Sequence, residues 1–160
     1  MAADTVQAIR AIVGSALDWE EAHASFEASV AGFPVQLRGK RPDGFPHSGW
    51  ELVEHIRIAQ EDLADFMARA DYHVMKWPDD YWPKSPEPPS EAAWDESVAA
   101  VQRDREHIKE IATRSTIDLS SAIPWGTGQT YLRTILVAVD HTAYHVGQII
   151  AVRRLLGAWP

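Results

Sequence analysis

The stretch Asp140-His141-Thr142-Ala143-Tyr144-His145-Val146-Gly147-Gln148 decides how this chain is read. It lies inside a longer apolar pattern, about residues 129–156, that predicts a helix. That helix follows the turn Pro124-Trp125-Gly126-Thr127-Gly128 and is closed by Gly157 and Pro160. On a helix, residues i and i+4 lie one turn apart on the same face. His141 and His145 therefore address a common point, as two ligands of one metal ion would. Two unrelated histidines on a half-buried face have the same spacing, so the pair alone leaves both readings open. What decides between them is whether another segment brings a third ligand opposite the pair.

Three further segments carry helical periodicity. The first is expected over about Thr5 to Ala31, with Asp4 or Thr5 as N-cap and with Val6, Ile9, Ile12, Val13, Ala16, Leu17 and Phe26 near one face. The second opens on Ser48-Gly49-Trp50-Glu51, a capping box in which Glu51 reaches back to the cap amide. It runs to about Asp71, with Leu52, Val53, Ile56, Ala59, Leu63 and Phe66 as its apolar stripe, and it carries His55. The third starts after Pro88-Pro89-Ser90 and places Trp94, Val98, Val101, Ile108 and Ile111 on one side. Four long amphipathic helices with no competing strand pattern predict an all-α four-helix bundle, in a single domain over residues 1–160.

The connections are long. Residues 32–47 hold Pro34, Pro42 and Pro46 with three glycines, and residues 72–89 hold five prolines together with Tyr72, Trp77, Tyr81 and Trp82. So many rings argue that the second loop packs over the bundle as cover, because disordered linkers are poor in aromatic residues.

Composition narrows the function. A hydrophobic fraction of 46% and a charged fraction of 24% are those of an ordinary globular domain. No uninterrupted apolar run of membrane-spanning length is present, and Met1-Ala2-Ala3-Asp4 lacks the basic start of a signal peptide, so a cytoplasmic location and no membrane partner are expected. A net charge of −8 argues against nucleic acid, with Arg38, Lys40 and Arg41 the only local basic cluster. Cysteine is absent, so any metal must be held by histidine and oxygen, and any thiol chemistry needs a thiol that arrives with a ligand.

A bundle builds metal sites from side chains of facing helices, and His55, His141 and His145 are the candidate metal ligands. Neutral imidazoles suit Zn²⁺, Ni²⁺, Fe²⁺ or Cu²⁺. Three of them on one side of an ion leave positions open for water or substrate. A zincin helix is disfavoured, because Thr142 stands where His-Glu-x-x-His needs its glutamate. A di-iron carboxylate bundle needs two Glu-x-x-His motifs, and only Glu20-x-x-His23 fits, with Asp104-x-x-His107 a weak analogue. Three other residues are candidates for a place around the ion: Gln148, which shares the side of His145; Glu51, one turn before His55; and His23, near the apolar face of the first helix. His47, just before the second cap, is read as a staple or as lining a cleft entrance.

These motifs carry a resemblance. Pro46-His47-Ser48-Gly49-Trp50-Glu51-Leu52-Val53-Glu54-His55 resembles the start of the second helix in the DinB/YfiT-like metalloenzyme family, and His141-Thr142-Ala143-Tyr144-His145-Val146-Gly147-Gln148 resembles its fourth-helix signature. Tyr81-Trp82-Pro83 and Ile123-Pro124-Trp125-Gly126 are similar to one subgroup. The resemblance implies a four-helix bundle, a divalent metal (zinc or nickel) on His55, His141 and His145, and a homodimer. It further implies an enzyme that uses a low-molecular-weight thiol such as bacillithiol or mycothiol. The expected function is thus a metal-dependent S-transferase acting on a small electrophile, with metal-bound thiolate or water as the reactive species. A metal-dependent hydrolase and a non-catalytic stress-response binding module are the alternatives.

Overall fold

The computed structural model describes residues 2–18 and 22–159, with the side chains of residues 2–4 left out of the description. Among the described residues the chain forms five α-helices, one short 3-10 turn (Val35–Leu37) and no strand. The α-helices are α1 (Ala2–Ala16), α2 (Phe26–Val30), α3 (Gly49–Ala68), α4 (Glu91–Thr113) and α5 (Tyr131–Leu155). The four long ones make an all-α bundle. Its main seams run α3 to α4 and α3 to α5, with α1 laid on α4 and α2 on α5.

Local chemistry explains where the helices start. Ser48 accepts from the Glu51 amide while the Glu51 carboxylate accepts from the Ser48 amide, so both halves of the capping box form. Ser90 caps α4 through the Ala93 amide, and Thr130 caps α5 through the Arg133 amide. The second helix stops at Ala68, short of Asp71. Gly157, at a φ of +68°, turns the chain after α5, a conformation glycine adopts without strain, while Pro160 lies outside the described residues.

The first expected helix is not continuous. The chain leaves the α1 axis after Ala16, with the Asp18 amide bonded to Ser15 O, and a new helix begins at Phe26. Ser25 starts it by accepting from the Ala28 amide, a local bond that competes with continuing α1. Because α1 begins at Ala2, Thr5 lies within the helix and not at its cap; the Asp4 side chain is outside the described residues.

The expected apolar face of α1 is also corrected. Val13, Ala16 and Leu17 face inward, but Val6, Ile9 and Ile12 are exposed. The inward stripe is completed by Arg10, whose guanidinium donates to the carbonyls of Ala112, Arg114 and Ile117. Those carbonyls lie at and beyond the end of α4, where helical partners run out, so a buried cation is favoured there.

The core has two apolar clusters. One joins Phe26, Val30, Phe33, Trp50, Leu52 and Ile56 to Ile149 and Val152, so the start of α3 meets the end of α5 and the two helices run antiparallel. The other joins Val13, Ala64, Met67, Ile108 and Ile111 to Ile135 and Ala138. On α5, His141 and His145 fall between Ala138 of the second cluster and Val146 of the first. By length and composition α5 is apolar enough to cross a membrane, with a mean hydropathy of 1.3 over its best window. In the bundle it packs chiefly against α3, with α2 laid on it.

Candidate metal centre

His55 comes from the second turn of α3 and the other two histidines from the middle of α5. His55 and His145 are buried and His141 is half-buried. Each offers one ring nitrogen, and these atoms all lie within 4.8 Å of one another. The Nε2 atoms of His55 and His141 are 3.0 Å apart. A tetrahedral ion with bonds near 2 Å needs its donors about 3.3 Å apart, so this pair is already at ligating separation.

Hydrogen bonds on the outer ring nitrogens orient two of the three rings. His55 Nδ1 lies 2.7 Å from the Tyr81 carbonyl, which can only accept, so the proton sits on Nδ1 and the Nε2 lone pair faces inward. His145 Nδ1 lies 2.6 Å from Gln148 Oε1, which sets the same tautomer. Gln148 Nε2 donates in turn to the Tyr144 hydroxyl at 3.2 Å, holding its amide in that sense. A backbone carbonyl or side-chain oxygen on the far nitrogen is how metal-binding histidines are oriented.

Electrostatics favour the neutral, ligating form. Burial holds His141 down at about 4 and His145 at about 3, and the neighbouring imidazoles act in the same direction. Burial lowers His55 too, against the opposing bond to Tyr81. His47 acts in the same direction on His55 and His145. With no carboxylate or thiolate in the set, a bound divalent ion keeps its full charge. The donor set therefore fits a divalent transition-metal ion.

Part of the loop over residues 72–89 covers the centre. The Trp82 ring lies flat on His55, at 3.9 Å between centroids and 2° between planes, and His47 stacks on the ring of Trp82 at 4.2 Å. The loop is tied down by Asp62 on α3, whose carboxylate accepts from the Tyr72 hydroxyl at 2.8 Å and the Tyr81 hydroxyl at 2.7 Å. Burial and that carboxylate hold both phenols well above their ordinary range, so they remain donors.

The other candidates are placed as follows. Gln148 touches His145 directly. Glu51 points to the cap amide and to Arg41 and makes no contact with the three rings. Burial works against its charge, but Arg41 and Ser48 outweigh burial and hold its carboxyl below the usual range. His23 is exposed, bonded to Ala24 O, and borders a small cavity with Leu17, Gln60 and Ala143 whose lining does not include the three histidines. Glu20 of the Glu20-x-x-His23 motif lies outside the described residues.

Tyr81, Trp82 and Asp62 were not singled out as site residues by their sequence. The ring-rich loop was the available signal for the first two. Nothing distinguishes Asp62 from any other acid on a helix.

The chain returns no match among curated proteins and none among solved structures. A family model does match it, over residues 18–149, a span that contains His55, His141, His145 and the loop that covers them. With its helical bundle and its three-histidine group, the chain belongs to the DinB superfamily.

Proposed function

We propose that this protein is a divalent-metal-dependent enzyme that transfers a small thiol to an electrophilic carbon. The observation that carries the reading is the convergence of three neutral imidazoles on one point, oriented by Tyr81 and Gln148 and free of any charged ligand. A divalent metal held by His55, His141 and His145 would supply Lewis acidity, which lowers the pKa of a thiol or of water toward neutrality. The residues around it do the rest. Tyr81 O and Gln148 fix the ring orientations, and Trp82 shields the face of His55 from water. In the transfer the thiol sulfur bonds to carbon, the leaving group departs with the bonding pair, and the thiol proton passes to solvent.

A chain without cysteine supports this reading, because the reacting thiol then has no internal competitor for the centre. The same donor set supports a second reading, hydrolysis, in which water takes the place of the thiol.

Metal content is to be measured in the wild type and in His55→Ala, His141→Ala and His145→Ala. Undiminished metal in all three variants removes the centre from consideration. The metal-loaded protein is then mixed with candidate thiols and a chromogenic electrophile. A thiol-dependent rate supports transfer and turnover with water alone supports hydrolysis. Saturable binding without turnover assigns the chain to a binding module.

A further inference from the structure

Two aromatic side chains flank the three histidines and are left out of the core. Trp77 is 65% exposed, against 5% for Trp50 and 3% for Trp94, yet its ring lies 6.3 Å from that of His55. Tyr144 is 63% exposed, and its ring lies 4.9 Å from that of His145. Exposing a tryptophan gives up more apolar burial than exposing any other residue, so a solvent-facing one beside a candidate centre calls for a partner.

Both rings are held. Tyr144 is tethered through its hydroxyl to Gln148, which is itself bonded to His145. Trp77 packs on the ring of Tyr81 at 5.2 Å, and the Tyr81 hydroxyl is bonded to Asp62. Their positions relative to the histidines are thus set before anything binds, which lowers the ordering cost of binding. What these two side chains present beside the histidines is ring faces and edges.

We infer that the centre takes a substrate with a planar aromatic ring, gripped by Trp77 and Tyr144 while its reactive end meets the ion. This rests on the metal-centre reading above and adds the substrate class to it. Ring-on-ring contacts are specific in geometry and add to burial, so two of them amount to about a tenfold preference over an aliphatic group of the same chemistry.

Benzohydroxamate and acetohydroxamate make a matched pair of probes. Both chelate a zinc or nickel ion through the same atoms and differ in phenyl against methyl. Their dissociation constants are measured on zinc-loaded wild type, Trp77→Leu, Tyr144→Leu and the double variant, with zinc content determined for each. The expected result is a phenyl-over-methyl ratio about tenfold larger in wild type than in the double variant, read on the zinc-loaded fraction of each protein because Tyr144→Leu also frees the Gln148 amide. An equal ratio in all four proteins overturns the aromatic grip and leaves the metal centre standing. Failure of both probes to bind a wild type that retains no zinc overturns the metal reading, and the inference with it.

Discussion

Asp62 makes no contact with the three histidines, yet its removal is expected to weaken metal binding. Its carboxylate accepts two phenolic hydrogen bonds, from Tyr72 and Tyr81, and these hold the covering loop to α3. Each is part-buried and contributes about 1 kcal/mol net, so Asp62→Ala releases about 2 kcal/mol of anchoring. The same loop puts Tyr81 O on His55 Nδ1 and Trp82 on the His55 face. If the loop must be re-ordered each time an ion binds, that 2 kcal/mol appears as about a thirtyfold loss of affinity. Losses of 10–100-fold are typical when a partner of a ligating histidine is removed. Asp62→Asn keeps one acceptor oxygen and Tyr81→Phe removes one donor, so each is expected to fall about midway on a logarithmic scale. Zinc affinity, measured at pH 7.5 by competition with a chromogenic chelator, and urea unfolding of the metal-free proteins give the two numbers. Zinc affinity within twofold of wild type in Asp62→Ala would refute the reasoning, because the cover would then be held without this carboxylate.

Gln148→Leu deprives the His145 Nδ1–H of its acceptor and is expected to lower zinc affinity by about tenfold or more, with little change in the urea midpoint. An unchanged affinity would show that His145 is oriented by other means. The metal-free protein should lose stability in acid. His141 and His145 have folded-state values of about 4 and about 3, below the ordinary 6.5 of an unfolded chain, so protons bind preferentially to the unfolded state. Their contribution is complete above about pH 6.5 and falls away as the pH drops toward 4. A wild-type urea midpoint that stays flat from pH 7 to pH 5 would contradict this. Gly49→Ala should cost about 1–3 kcal/mol, because the added methyl would lie 2.4 Å from a carbon of the buried Phe33 ring. A urea midpoint equal to that of wild type would show that Phe33 yields freely.

Local rules in the sequence were enough for several elements. The capping box at Ser48 and Glu51 depends on residues three apart, and Pro88-Pro89-Ser90 marked the start of α4, whereas the Thr130 cap of α5 was not singled out. The shared face of His141 and His145 is a property of helical geometry alone. The break after Ala16 was not legible, because apolar periodicity continues through residues whose backbone turns aside. Nor was the inward turn of Arg10, since a cation belongs in a core only where unpaired carbonyls from a distant segment await it.

The sequence by itself therefore determined the helices that carry the three histidines and the side of α5 on which two of them stand. Only the tertiary structure decided that His55 stands 3.0 Å from His141, that the Tyr81 carbonyl selects its tautomer, and that Trp82 roofs it. The physical reason is range. Caps and helical faces are set by neighbours within a turn, whereas a metal centre depends on lone pairs brought together from residues 86 apart in the chain.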